Sequence, residues 1–165
     1  MNIDATAATM RAFYGSLDLA VTWGDMGRAE AQVIERRPVA WIGPEGFVRD
    51  PQQPLPLVAF DAPCAFRSAA VTALEARTIV VWRHVFASPS LAGLWAAVTA
   101  GLGVTPRTNE ALPPHPRVLD PEVAGLPALG AIDIALHVSG ASRSAAVDRL
   151  GALLLEAIEA RPSPA

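Results

Sequence analysis

The sequence predicts an α/β fold, with open sheets in two lobes and helices packed against them. Three observations predict it. Short apolar runs of strand length recur along the 165 residues, as in Leu17 to Trp23, Leu57 to Phe60 and Ile132 to Val138. Between them lie segments whose apolar residues repeat at helical spacing, such as Phe66, Ala69, Ala70, Ala73 and Leu74. Strands alternating with such helices fit open sheets with covered faces. The third observation is Val85 to Thr105, VFASPSLAGLWAAVTAGLGVT, which reads as strand, turn, helix, tight turn and strand. The length allows one domain, or two small lobes sharing a hinge.

In chain order, Asn2 to Ala5 reads as a short strand and Thr6 to Tyr14 as a helix with Ala7 and Met10 facing inward. Thr6 stands where strand meets helix, the ligand-facing edge of an open α/β sheet. A plain N-cap is its alternative reading. Leu17 to Trp23 is a near-continuous apolar strand, as expected of one buried on both faces. Asp18 interrupts it, and a buried carboxylate there would have to bond nearby backbone donors. Trp23 ends the strand at the ligand edge, either as a crevice wall or as a core residue. Gly24 to Gly27 is a turn, and Ala31 to Glu35 and Val39 to Ile42 are strands. Gly43-Pro44-Glu45-Gly46 is a crossing that is flexible on one side and fixed on the other.

After a loop at 49–56 come the strand Leu57 to Phe60, the loop Asp61 to Cys64 and a helix from Phe66 to Ala76. Arg67 sits in the first turn of that helix, where a cation opposes the helix dipole. It is a candidate for a ligand carboxylate or a partner subunit, and equally for a solvated surface arginine. Thr78 to Trp82 is a strand. Ser88 can cap the next helix, with Pro89 at the first helical position. Leu91, Leu94, Trp95 and Val98 form its apolar face. Gly101 can take the left-handed conformation that ends a helix, with Leu102 folding back. Ser88 and Ser90 beside a helix N-terminus suit an anion, although a cap alone explains a serine there. Leu112 to Asp120 is a proline-rich extended connection. Ile132 to Val138 is a strand. Ser142 can cap a last helix at about residues 142–160, with Ala146, Leu150, Leu153, Leu154 and Ala157 or Ile158 inward.

Composition narrows the function. Apolar residues make up 52% of the chain, enough for a core, and aromatics only 6%, so that core is mainly Ala, Val and Leu. The net charge of −3 gives no basic footprint for nucleic acid. A lone Cys64 excludes an internal disulfide and fits a reducing compartment. The N-terminal residues have no signal-peptide pattern, and no apolar run reaches the ~18 residues that span a bilayer. His84, His115 and His137 lie in no metal-ligand spacing with Cys64. There is no phosphate loop, dinucleotide fingerprint or nucleophile elbow, so no catalytic residue, metal or cofactor is expected.

Five segments in order resemble the effector-binding domain of LysR-type transcriptional regulators. They are SLDLAVTW at 16–23, PLPLVAFDAPCAFRSAAVTALEA at 54–76, the stretch ending Ala-Gly-Leu-Gly-Val at 100–104, GLPALGAIDIALH at 125–137 and the final helix. The resemblance implies a type II periplasmic-binding-protein-like fold with Rossmann-like lobes. The first lobe would be residues 1–43 plus 131–165, and the second residues 44–130. It implies a regulatory domain, not an enzyme, that senses a small effector in the cleft between lobes. The effector sites would be Thr6, Trp23, Phe66, Arg67, Ser88 and Ser90, and a carboxylate would suit them. Against the family pattern, this chain is expected to lack the helix-turn-helix and the first strand and helix of the effector domain. DNA would then be reached only through a domain absent here. The exposed apolar surface of a truncated first lobe would favour a homodimer or higher oligomer. The family is cytoplasmic and not membrane-bound. The alternatives are a free-standing solute-binding protein, and a truncated subunit acting by heterodimerisation.

Overall fold

The computed structural model describes residues 18–24, 31–77, 81–110, 112–138 and 144–160. The expectations for Asn2 to Tyr14, including Thr6, lie outside these residues, as do Thr78 to Val80 and Ser142. The chain divides into two compact units, Met1–Arg37 with Ala131–Ala165, and Pro38–Gly130.

In the first unit, β1 (Leu19–Trp23) and β2 (Gln32–Pro38) flank β8 (Ala131–Val138). β1 and β8 are antiparallel, in a register that runs from Leu19 opposite Val138 to Trp23 opposite Ile134. Ala20 and Thr22 of β1 are buried, while Leu19, Val21 and Trp23 are half-buried. Asp18 is exposed and precedes the strand, so no buried carboxylate needs a donor there. The Thr22 hydroxyl donates to the Gly24 carbonyl at 2.7 Å. A hydroxyl has one proton, so the 2.8 Å contact with His137 Nε2 has the ring nitrogen donating and Thr22 accepting.

Helix α3 (Ala145–Glu159) also belongs to this unit. Its N-cap is Ser144, whose Oγ accepts from the Val147 amide at 3.3 Å. Its buried positions are Gly151 and Ile158, with Val147, Leu154 and Leu155 half-buried. Leu150 and Leu153, expected inward, are 50% and 44% exposed. The helix turns its buried Gly151 toward Leu19 and Leu136, where a Cβ would make ordinary contact at 3.5 and 4.0 Å, and Leu150 and Leu153 fall outside that face.

The second unit holds β3 (Ala40–Gly43), β4 (Leu55–Ala59), α1 (Ala65–Ala76), β5 (Trp82–Ala87), α2 (Leu91–Thr99), β6 (Thr105–Arg107) and β7 (Arg117–Val118). β3, expected in the first lobe, pairs antiparallel with β6 and β7 and lies in this unit. The segment read as a plain extended connection supplies β7. β5 begins at Trp82 and absorbs the Arg83-His84 link as well as Val85. β4 and β5 are parallel, with an irregularity between Leu57 and Val58. Leu57 also bridges Val104 in parallel, and Val104 exchanges backbone bonds with Pro56 and Val58 at 2.9 and 2.8 Å. A Cβ on Gly103 would collide with the Pro56 carbonyl, so only glycine lets these backbones come together. Trp41, Ile42, Leu57, Val58, Leu94, Val98 and Val104 are fully buried. Trp41 Nε1 donates to the Pro127 carbonyl at 2.8 Å, which satisfies the one polar atom of the largest core side chain. At the ends of the unit, the Val39 amide donates to the Gly130 carbonyl at 2.9 Å.

The end of α2 forms as its sequence predicts. Gly101 has φ +78°, its amide bonds the Val98 carbonyl, and the Leu102 amide reaches back to Ala97. These are the two bonds of a Schellman cap. The start of α2 differs. Its N-cap is Ser90, Pro89 lies outside the helix, and neither serine hydroxyl caps it.

Candidate functional site

β4, β5 and the chain at Val104 run parallel, so their carboxyl ends share one edge of the second unit. In open α/β sheets that edge binds ligands. The loops leaving it lead into α1 and α2. α1 starts at an extended Cys64, whose side chain makes no capping bond and whose carbonyl accepts from Ser68 at 2.9 Å. The first-turn amides therefore have no intrahelical acceptor. Arg67 is the third residue of this helix, with no acidic residue in the same turn.

A shallow recess lies at this edge, too narrow to enclose a water molecule. It is lined by Ala59, Phe60 and Cys64 from β4 and its loop, by Phe66 and Arg67 from α1, by Leu94 from α2, and by Thr105 to Arg107 of β6. The lining carries two arginines and no carboxylate. The Arg107 guanidinium carbon lies 4.6 Å from the centroids of both Phe60 and Phe66. Attraction between a cation and an aromatic face holds it from both. Thr105 is fully buried, and its Oγ1 has no hydrogen-bond partner.

His84 lies close by on β5. Burial pushes its pKa below 6.5, and the neighbouring Arg67 charge pushes the same way. Asp61 and the Ala59 carbonyl oppose that shift without reversing it. The buried His84 Nε2 has no hydrogen-bond partner.

Of the six residues expected at a site, Phe66 and Arg67 meet in this recess. Ser88 and Ser90 do not line it. Ser88 is buried, and its Oγ accepts from the Ser90 amide at 3.1 Å and contacts the Ser90 carbonyl at 3.2 Å. Its oxygen thus serves the turn before α2 and not the helix. Trp23 is half-buried in the first unit, and Thr6 falls outside the described residues. Phe60, Thr105 and Arg107 were missed. Each sits at a strand end at this edge, which only the long-range pairing of β4 with Val104 reveals. Among the described residues no cluster of His, Cys, Asp and Glu could hold a metal ion, and no helix is long and apolar enough to cross a membrane.

No protein-family model matches the chain. Curated proteins do, and two of them are HTH-type regulators. HTH-type transcriptional regulator PecT of Dickeya dadantii (strain 3937) is 33% identical over 115 residues, covering 70% of this chain and 36% of its own length. HTH-type transcriptional regulator DgdR of Burkholderia cepacia is 34% identical over 117 residues, covering 70% of this chain and 40% of its own. The chain thus spans about two fifths of the length of these relatives, which are regulators and not enzymes. Among solved structures, full-length HypT of Salmonella typhimurium, a hypochlorite-specific LysR-type transcriptional regulator, superposes with a TM-score of 0.71 at 14% identity. The match covers 98% of this chain and 58% of HypT. The bromide-bound regulatory domain of HypT gives 0.70 at 15% identity over 94% of this chain and 80% of that domain. With curated homologues among the HTH-type regulators and the fold of their regulatory domains, the chain belongs to the LysR-type transcriptional regulators, as their effector-binding domain.

Proposed function

We propose that this chain senses a small organic anion and, as part of a longer regulator, passes that signal to a DNA-binding domain. The recess at the carboxyl edge of the second unit carries the reading. Its polar lining is cationic, it lacks any carboxylate, and it adjoins a helix N-terminus. An anion there would gain charge-assisted hydrogen bonds that a neutral solute would not. Arg67 and Phe66 contact the effector on this reading, both from the unit Pro38–Gly130. Effector binding shifts a population between conformations, which requires different affinities for the two. The regulator works as a homodimer or higher oligomer in the cytoplasm, and DNA is contacted by its helix-turn-helix.

The test uses the regulator that contains this chain, with its operator DNA. Small carboxylates are screened by thermal shift, and hits are added to an operator-binding titration. The reading expects at least one carboxylate both to raise Tm and to change operator affinity or footprint. A regulator that responds only to neutral solutes, or whose DNA binding no hit changes, overturns it.

A further inference from the structure

We propose that α3 pairs with the α3 of a second copy of this chain, antiparallel about a two-fold axis, and that this pairing is an interface of the homo-oligomer. The inference rests on the oligomeric part of the reading above and names the surface. Three observations carry it. The first is an apolar stripe that faces outward. Leu150 and Leu153 are 50% and 44% exposed, and Ala146 and Ala157 are exposed with them. The four lie 4, 3 and 4 residues apart, the spacing by which one helix presents a continuous seam to another. α3 buries a different face within its own unit, the one that carries Gly151 and Ile158. The outward stripe is therefore not used by the packing of α3 on the sheet.

The second observation is that the stripe is its own reverse. Read from either end it runs small, large, large, small. A two-fold contact demands such a pattern, because residue i meets residue j while j meets i. With the axis between Gly151 and Ala152, Ala146 meets the partner's Ala157, and Leu150 meets the partner's Leu153. The third observation is charge. Arg149 and Glu156 are both exposed and lie on one flank of the stripe. Neither has an opposite charge three or four positions away on α3, where a helix would pair it. In the same antiparallel register Arg149 meets the partner's Glu156, and Glu156 meets the partner's Arg149. Size and charge thus agree on one occupant, a second copy. α3 has 15 residues and is about 22 Å long at ~1.5 Å per residue. That contact is smaller than a standard interface, so by itself it makes a weak, reversible dimer.

The experiment follows sedimentation of the full chain from low to high micromolar concentration, at low salt. The unaltered chain is expected to dimerise reversibly in that range. Leu150→Gln is expected to weaken the dimer about tenfold or more, because each dimer loses two buried leucines. The Tm of the dilute chain should stay the same, since the position is exposed there. Arg149→Glu and Glu156→Arg each set like charges face to face and are expected to weaken the dimer severalfold. The two single variants mixed are expected to pair better than either alone. A chain carrying both changes is expected to regain the original affinity, a rescue that a merely structural role of either residue would not give. A chain that stays monomeric throughout overturns the inference. So does a doubly changed chain that pairs no better than the single variants. If association persists but Leu150→Gln leaves it unchanged, the oligomeric reading stands and this inference alone fails. Loss of Tm in Leu150→Gln without loss of association would seat the stripe within one copy, and also overturns it.

Discussion

The Ser88 hydroxyl occupies the space that a side chain at Gly93 would need. A Cβ built on Gly93 lands well inside contact distance of Ser88 Oγ and 3.2 Å from Ser88 Cβ. The serine is buried and tied to the Ser90 amide, so it has little room to yield. Gly93 is therefore a seat for the strand-to-helix turn, not a weakness in α2.

Gly93→Ala should destabilise the chain, although alanine is the better helix former. Overpacking costs roughly 1–3 kcal/mol, against at most about 1 kcal/mol gained in propensity. In a Ser88→Ala background the penalty should shrink or vanish. Urea unfolding of the two single variants and the double variant measures this coupling. Additive effects would show that the two side chains do not compete for space.

The two cap serines should behave differently. Ser144→Ala removes a hydroxyl that accepts from the Val147 amide, at a cost of about 0.5–2 kcal/mol. Ser90→Ala removes a hydroxyl that caps nothing and should change stability by no more than about 0.5 kcal/mol. Equal losses in thermal or urea unfolding would contradict this assignment.

Trp41→Phe should lose about 1–3 kcal/mol, because the buried Pro127 carbonyl would be left without its donor. Trp41 is fully buried, so native-state fluorescence should also change as this position is altered. Equal stability of the two proteins would mean that the 2.8 Å bond contributes nothing.

His84 should make stability depend on pH. Burial first, then Arg67, lowers its pKa below 6.5 in the folded chain, while Asp61 and the Ala59 carbonyl act the other way. The unfolded chain therefore binds more protons just below pH 6.5. Stability contributed by this residue is fully present above that pH. It falls as the pH drops toward the folded pKa and then levels, once both states are protonated. His84→Gln should flatten this part of the profile, as read by unfolding midpoints between about pH 5 and 8. An unchanged slope would remove His84 from the account.

Local chemistry was legible in the sequence, and choices made by distant contacts were not. Gly101 could be read as a cap because a left-handed glycine after an apolar stripe is a local signal, and the bonds from Gly101 and Leu102 follow it. The start of α2 was read too early, with Ser88 as the cap and Pro89 as the first helical residue, whereas the cap position falls at Ser90. The space at Gly93 and the burial of Ser88 decided between them, and neither is a local property. The outward leucines of α3 were misplaced for the same reason, since the stripe weighs side-chain size while the tertiary fold turns the Gly151 and Ile158 face inward. At the recess, Phe66 and Arg67 stood out because a cation at a helix start is unusual. Arg107 did not, because an arginine after a proline at a strand end resembles any surface arginine. Its stacking partners come from Phe60 and Phe66, far away in sequence.

The bond from the Val39 amide to the Gly130 carbonyl has an evolutionary corollary. Residues 38–130 are one continuous stretch, and their two ends are neighbours. The stretch is spliced into its host as a cassette, with junctions only at Arg37–Pro38 and Gly130–Ala131. A segment with adjacent ends can be exchanged whole, because the host has only a short gap to rejoin. Recombination could thus trade the chemistry that residues 38–130 recognise while β1, β2 and β8 keep their pairing.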